Sequence, residues 1–179
     1  HRVGRRAAVE MDLDAARFDA QMAELASSGR VVDLDTALGM LDGSTPQPEH
    51  DPVVVTFDDG TADFADVAVP ILERHGVPAL MYLATGFLDD GTAFPYDGTP
   101  LSWAAARDAL TSGVVTYGSH THTHALLDRL PAPEATDELD RSIDRIAAET
   151  GTAPRHFAYP KAVMGSAAAD RSEEHTSEL

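Results

Sequence analysis

Four times along the chain, a segment with helical spacing of apolar residues is followed by a glycine and then by a short run rich in apolar residues. A glycine just beyond the last helical turn supplies the left-handed conformation that ends many helices. The runs barely alternate between apolar and polar residues, as is typical of strands buried on both faces. The pattern predicts helices over residues 14–28, 62–75, 102–112 and 134–150. It predicts strands over residues 30–34, 52–57, 77–84, 114–119 and 155–160.

This alternation of helices and buried strands determines the expected fold class. Such strands pair in parallel through right-handed crossovers, so we predict an α/β layer or barrel. In both architectures ligands bind at the carboxyl ends of the strands. Residues that carry chemistry should therefore follow directly after predicted strands. The turn-rich segments over residues 42–51 and 88–99 are expected to be connections within one domain, the second long enough to lie beside a substrate.

The composition excludes several classes of partner and chemistry. The chain carries 30 acidic and 13 basic residues, a formal net charge of −17. Repulsion from phosphates therefore argues against nucleic acid as a partner. No run of about 18 apolar residues occurs, so no transmembrane segment is expected in this sequence. Cysteine is absent, which excludes disulfides and thiolate catalysis.

Both ends of the sequence indicate a truncated chain. It begins with His1 rather than methionine, and residues 171–179 resemble a translated sequencing adapter. We expect one partial domain over residues 1–170, followed by a non-native tail over residues 171–179.

Two aspartates, Asp58 and Asp59, follow the strand predicted over residues 52–57. Alone, an Asp-Asp-Gly sequence is typical of a solvated turn. At the end of a buried strand, however, neighbouring carboxylates disfavour each other's ionisation unless a proton or a cation lies between them. A divalent metal resolves this conflict when one carboxylate binds it and the other remains a nearby base.

Three histidines, His120, His122 and His124, occur in the sequence Ser-His-Thr-His-Thr-His after another predicted strand. On a continuing strand all three side chains would share one face. If a helical turn begins at about residue 120, His120 and His124 share a face and His122 points away. Because Gly118 and Ser119 favour an end to the strand, we predict His120 and His124 as ligands and His122 as a supporting or surface residue. Two imidazoles and one carboxylate leave positions open for water and substrate.

The sequences Thr-Phe-Asp-Asp-Gly, Ser-His-Thr-His-Thr-His and Phe-Ala-Tyr-Pro occur in this order. Together they resemble the motifs of the polysaccharide deacetylases, which form the NodB-homology domain or carbohydrate esterase family 4. The resemblance covers about residues 1–170. It implies an α/β fold, an incomplete and distorted (β/α) barrel with about seven parallel strands in the complete domain. It also implies a hydrolase of carbon–nitrogen bonds other than peptide bonds, which removes acetyl groups from N-acetylated polysaccharides or oligosaccharides.

The resemblance further implies roles for the aspartates and histidines. Asp58 would be the general base. Asp59, His120 and His124 would be the ligands of a divalent metal ion. Zinc is the expected ion, with cobalt and nickel as alternatives, since all three accept imidazole and carboxylate ligands.

Other residues receive roles from the same resemblance. The backbone N–H of Lys161, which follows Pro160, would donate a hydrogen bond to the oxyanion. Thr121 and Thr123 would orient the histidine loop through hydrogen bonds. Tyr159 would face the substrate or, equally, pack in the interior at the end of its strand.

The sequence departs from the family pattern in three places, one of which is the absence of the tryptophan-bearing fourth motif. The Leu-x-His motif that usually supplies the general acid does not occur before residue 171, so we expect this chain to be inactive or weakly active. An arginine that braces the base in many members is replaced by Ala158, and Arg155 is a candidate substitute. His156 precedes the strand end and is expected at the surface.

The remaining polar and aromatic residues are assigned ordinary structural roles. Trp103 is expected to pack in the core. The acidic residues of the helix over residues 134–150 are expected on a solvent face opposite Leu139, Ile143 and Ile146.

Three functions stay open at the level of the sequence. The first is an N-deacetylase, and the second is an O-acetyl esterase of xylan or a hydrolase of small amides. The third is a degenerate glycan-binding domain without turnover. Retention of both aspartates favours an enzyme, because a binding domain would need only the metal ligand. Acetylated polysaccharides lie outside the cytoplasm, so we expect the full-length protein to be extracytoplasmic or at the cell envelope.

Overall fold

The computed structural model describes residues 2–4, 12–46, 48–95 and 97–162. The strands in these ranges are β1 (Arg2–Gly4), β2 (Asp12–Asp14), β3 (Val55–Phe57), β4 (Ala79–Leu83) and β5 (Val115–Ser119). The helices are α1 (Ala15–Ser28), α2 (Leu34–Asp42), α3 (Val69–His75), α4 (Thr85–Asp90), α5 (Trp103–Leu110) and α6 (Ala132–Thr150). A π-helical turn over Phe64–Ala68 leads into α3, and short 3₁₀ turns occur at Leu127–Arg129 and Pro160–Ala162.

Neighbouring strands in the described ranges run parallel. Strands β3, β4 and β5 lie side by side in chain order, and β1 pairs with β2 in a separate sheet. Isolated parallel bridges extend the larger sheet on both sides, from Val31 to Val53 and from Ser119 to Phe157. The predicted α/β class with parallel strands is confirmed. Within the described ranges the strands do not close into a barrel.

Capping groups confirm the predicted ends of several helices. The side chain of Asp14 accepts hydrogen bonds from the first backbone N–H groups of α1, and Ser102 accepts one at the start of α5. Gly29 and Gly151 take φ values of 67° and 78° directly after α1 and α6. This left-handed conformation is the helix end that the sequence predicts.

Two predicted strands are wrong over most of their length. Residues 30–34 contribute one isolated bridge, because α2 begins at Leu34 with Asp33 as its N-cap. Residues 155–160 likewise contribute only the bridge at Phe157. Helix α4 also replaces the first part of the connection that we expected over residues 88–99.

The main core lies between the larger sheet and the helices that cover it. Strand β4 is buried along its whole length, as predicted for a strand with both faces covered. Strand β3 is not, since Val55 and Phe57 are half-buried and Thr56 is exposed. Trp103 packs against the core as predicted, and its indole N–H donates to Asp89 at 2.7 Å.

Helix α6 has polar residues on its buried face. Leu139 and Ile146 are buried there, but so are Glu138 and Ser142. The expectation that all acidic residues of this helix face solvent is therefore wrong at Glu138. Its spacing of four residues from Ser142 places both on one face. Neither α6 nor any other described helix is long and apolar enough to span a membrane.

Candidate metal centre

The predicted ligands lie at the carboxyl ends of β3 and β5. Asp58 and Asp59 directly follow β3, and His120 directly follows β5, with β4 between the two strands. Because parallel strands end at the same edge of a sheet, the topology brings these residues to one place.

The backbone near both strand ends is left-handed at residues other than glycine. Asp59, Thr121 and His124 have φ values of 75°, 64° and 59°, which cost free energy for residues with a side chain. No helical turn begins at residue 120, so the turn predicted there is wrong. The left-handed residues nevertheless turn the loop and bring the rings of His120 and His124 together, with their centroids 5.0 Å apart.

Asp59, His120 and His124 form a compact group of candidate ligands. Asp59 Oδ1 lies 3.7 Å from His120 Nε2 and 3.2 Å from His124 Nε2. One ligand atom from each of the three residues lies within 4.8 Å of the other two. Ligands placed about 2.0–2.2 Å from a tetrahedral zinc ion lie roughly 3.3–3.6 Å from each other. The group therefore fits a divalent cation with little movement of its side chains.

The hydrogen bond at His120 prepares this ring to bind a metal. His120 is buried, and its Nδ1 lies 2.7 Å from the backbone carbonyl of Ala158. A carbonyl oxygen can only accept, so Nδ1 carries the hydrogen and donates it. The lone pair of the neutral ring is then on Nε2, the atom that faces Asp59. In most metal-binding histidines the ring nitrogen that does not bind the metal donates a hydrogen bond in this way, which fixes the orientation of the ring.

The electrostatics of the group favour the protonation states that a metal requires. Burial lowers the pKa of His120, so the ring is neutral at neutral pH. Burial would raise the pKa of Asp59, but its hydrogen bond and attraction to His124, with the attraction to His120, lower that pKa below its usual range. Asp59 is thus ionised and His120 neutral, as ligands must be before a cation binds.

The metal-free protein is expected to lose stability as the pH falls below about 6.5, the ordinary pKa of histidine. The unfolded chain protonates His120 near that pH, whereas the folded chain keeps the ring neutral to a lower pH. The unfolded state therefore binds more protons in this interval, and the free energy of unfolding decreases. Urea unfolding at pH 7.5 and pH 5.5 should show a smaller decrease in His120→Gln than in the wild type. Equal decreases in the two proteins would contradict this assignment.

Asp58 lies beside the group without belonging to it. Its side chain is exposed, and no described residue holds its carboxylate through a hydrogen bond or an ion pair. Phe57 is opposite Met81 in the register of β3 and β4, so Asp58 follows on the side of Tyr82. The Asp58 carboxylate is therefore available to accept a proton.

Tyr82 lies near both Asp58 and His120, and no motif or spacing in the sequence pointed to it. Its ring centroid lies 6.5 Å from that of His120, and Gly118 is opposite it across β4 and β5. Burial and the negative charge of Asp58 raise the pKa of the Tyr82 phenol. The hydroxyl group therefore stays protonated beside the predicted base.

Gly118→Ala is expected to destabilise the fold by roughly 1–3 kcal/mol, the usual cost of overpacking. A Cβ at this position would lie 2.5 Å from Tyr82 Cδ1 and 2.9 Å from the His156 carbonyl oxygen. Urea unfolding measures the loss, which should shrink in a Tyr82→Ala background because the ring is then absent. The same loss in both backgrounds would show that the Tyr82 ring does not impose the constraint.

Two of the three residues between the candidate ligands, His122 and Thr123, contact neighbouring helices. Thr123 donates from its backbone N–H and its hydroxyl to Glu138, which agrees with its predicted orienting role. Thr121 does not fulfil the same prediction, because its buried hydroxyl has no partner among the described residues. His122 is buried, so of its two predicted roles the surface one is excluded and the supporting one remains. Its Nδ1 lies 2.8 Å from Thr85 Oγ1, and its Nε2 lies 2.8 Å from an Arg141 nitrogen.

The segment that ends at Lys161 contributes mainly backbone to the site. Tyr159 is half-buried and packs edge to face on Phe157 at 4.9 Å, as expected of an interior residue. Pro160 is buried, and Lys161 is exposed with a φ of 57°. The group that the sequence analysis missed here is the Ala158 carbonyl, since a backbone acceptor has no residue-type signature.

Arg155 does not brace Asp58, which corrects the suggested substitute for the missing arginine. Its guanidinium pairs with Asp35 at 3.1 Å, at the start of α2. His156 also contacts Asp35, with Nε2 at 3.0 Å. This agrees with its predicted place outside the site, although the ring is partly buried.

Solved structures share this fold. The Streptococcus pyogenes deacetylase PplD, in complex with acetate, matches with a TM-score of 0.82 and 20% identity, over 96% of this chain and 73% of that chain. IcaB from Ammonifex degensii matches with a TM-score of 0.84 and 24% identity, over 96% and 76% of the two chains. A polysaccharide deacetylase from Bacillus cereus matches with a TM-score of 0.76 and 22% identity, over 97% and 52%. At these identities the likeness establishes the fold.

The family is established by sequence. A comparison with curated proteins gives no match. The family model described as polysaccharide deacetylase, however, matches residues 45–178, which include both aspartates and the histidine loop. The chain therefore belongs to the polysaccharide deacetylase family, which supports its assignment as a hydrolase of carbon–nitrogen bonds other than peptide bonds.

Proposed function

We propose that the chain carries the metal-dependent active site of a deacetylase that hydrolyses the acetamide groups of N-acetylated glycans. The observation that carries this proposal is the convergence of Asp59, His120 and His124, with Asp58 unpaired beside them. Family membership supports the substrate class. One structure with the same fold is named a deacetylase and holds acetate, the product of such a reaction.

The donor set supports zinc as the resident ion. One carboxylate and two neutral imidazoles, from Asp59, His120 and His124, would hold the ion and leave coordination positions for water and substrate. The same donors accept cobalt and nickel. When bound, the cation polarises the acetyl carbonyl and lowers the pKa of a water molecule towards neutrality.

The protein's own groups then have separate tasks. Asp58 accepts a proton from water while the water oxygen forms a bond to the amide carbon. The backbone N–H of Lys161 donates a hydrogen bond to the oxyanion that develops on the carbonyl oxygen. The carbon–nitrogen bond then breaks as the leaving nitrogen takes a proton from a general acid, and acetate and the free amine are released.

Acetate release measures this function directly. The full-length enzyme is offered N-acetylated chitooligosaccharide, acetyl-xylan and a small acetamide, first after treatment with a chelator and then with zinc, cobalt or nickel restored. We expect metal-dependent acetate release from the chitooligosaccharide. Release only from acetyl-xylan or only from the small amide would assign another substrate class. Glycan binding without acetate release under any metal would indicate a non-catalytic binding domain.

A further inference from the structure

The loop that carries the predicted histidine ligands is held by one face of α6. Glu138 accepts from the Thr123 backbone N–H at 2.7 Å and from the Thr123 hydroxyl at 2.8 Å, with a different carboxylate oxygen for each. Its backbone carbonyl accepts from the His122 N–H at 3.1 Å. One turn further along, Ser142 accepts a hydrogen bond from Ser119 or donates one to it, at 2.9 Å.

Glu138 is an unusual residue for this position. It is 9% exposed, and no basic side chain in the described residues forms an ion pair with it. A buried carboxylate loses hydration, and hydrogen bonds alone must compensate for that loss. An apolar side chain at this buried position of α6 would pack without the free-energy cost of removing a carboxylate from water. Helix packing alone therefore does not account for a glutamate here.

The contact with Thr123 bears directly on the next residue, His124. His124 has a φ of 59°, and a non-glycine residue keeps such a conformation only when the surrounding structure fixes it. Glu138 fixes the preceding residue through both its backbone and its side chain. The conformation of His124 in turn determines that its Nε2 lies 3.2 Å from Asp59.

We propose that Glu138 is a positioning residue that sets the affinity of the metal centre by holding His124 in its left-handed conformation. The inference rests on the proposed function, because it presumes that His124 binds a cation. Glu138 touches neither the cation nor the substrate and acts through Thr123.

Cobalt(II) titration followed by visible absorbance tests this role without any need for turnover. Glu138→Ala is expected to raise the cobalt dissociation constant by about 10–100-fold, as is typical when the support of a ligand is lost. Glu138→Gln should stay within a few-fold of the wild type, because the amide oxygen can accept from the Thr123 N–H and its NH₂ can donate to the Thr123 hydroxyl. Rescue by glutamine separates hydrogen bonding from charge.

Ile146→Ala is the matched control. Ile146 is 1% exposed on the same helix, and its apolar side chain makes no hydrogen bond to the loop, so its truncation tests the loss of packing alone. The cobalt affinity of Ile146→Ala should stay within about twofold of the wild type at temperatures where the protein is folded. A substitution distant from the metal centre lowers the stability of the fold without changing the affinity of that centre. A wild-type affinity in Glu138→Ala, or an equal loss in Ile146→Ala, would overturn the inference.

Thr123→Val provides a second variant if Glu138→Ala does not fold. Valine removes the hydroxyl contact and keeps the backbone N–H contact, so we expect a smaller loss of roughly three- to tenfold, about the value of one hydrogen bond. Unchanged affinity would contradict the role of Glu138. Absence of cobalt binding by the wild type is a different result, which would refute the metal centre of the proposed function and this inference with it.

Discussion

Asp59→Ala is expected to weaken metal binding by roughly a hundredfold to a thousandfold, which is one ligand's share of the binding free energy typical of protein zinc sites. The physical reason is that Asp59 supplies the only negative charge in the ligand group and the atom on which both imidazoles converge. Without it, two neutral rings remain to hold a divalent cation. Competition with a chromophoric chelator measures the zinc dissociation constant, and turnover of the full-length enzyme should fall with it.

Asp89→Ala is the matched control for Asp59→Ala. Asp89 has the same side chain, lies on α4 and pairs with Arg145 at 2.7 Å rather than with the histidines. Its loss should leave the zinc dissociation constant within about twofold of the wild type, as for a site with no shared partners. An equal loss of affinity in the two variants would show a general effect of charge. Full affinity in Asp59→Ala would exclude it as a ligand.

Asp58→Asn is expected to reduce kcat by about 10²–10⁴-fold and to leave the zinc dissociation constant nearly unchanged, because general base catalysis contributes about that much. Asparagine keeps the shape of the side chain but cannot take a proton from water. The exposed carboxylate of Asp58 has no described partner to disturb, so the fold should be unaffected.

The comparison of binding and turnover in Asp58→Asn distinguishes a base from a ligand. Zinc affinity and acetate release are measured on the same preparation of the full-length enzyme. A large loss of zinc affinity would place Asp58 among the ligands. Normal turnover would show that the base is another group.

The position of the site could be predicted because strand ends determine it. Asp58, Asp59 and His120 follow predicted strands, and parallel strands end at one edge of a sheet. His124 was also predicted, although for a wrong local reason. The sequence favoured a helical turn, whereas left-handed backbone at Thr121 and His124 turns the loop. Left-handed conformations at residues with side chains depend on tertiary contacts, which local propensity does not contain.

The supporting groups were not predicted, for reasons that differ from one to the next. The Ala158 carbonyl that orients His120 is a backbone atom, and any residue type could supply it. Glu138 was predicted to face solvent because charged side chains usually do, although its spacing along the helix indicates the buried face. The four-residue steps from Glu138 to Ser142 and Ile146 did place it on the buried face. Helix α2 replaced a predicted strand because the Asp33 cap favours helix directly after the apolar run.

The most direct measurement is X-ray absorption spectroscopy at the zinc edge of the zinc-loaded protein, with Asp58→Asn and Asp59→Ala beside the wild type. We expect two imidazole nitrogens and a carboxylate oxygen at about 2.0–2.2 Å from zinc. The spectrum of Asp58→Asn should match the wild type, and that of Asp59→Ala should lose the carboxylate oxygen. A spectrum that changes in Asp58→Asn and not in Asp59→Ala would contradict these ligand assignments. A wild-type spectrum without two imidazole nitrogens bound to zinc would also contradict them.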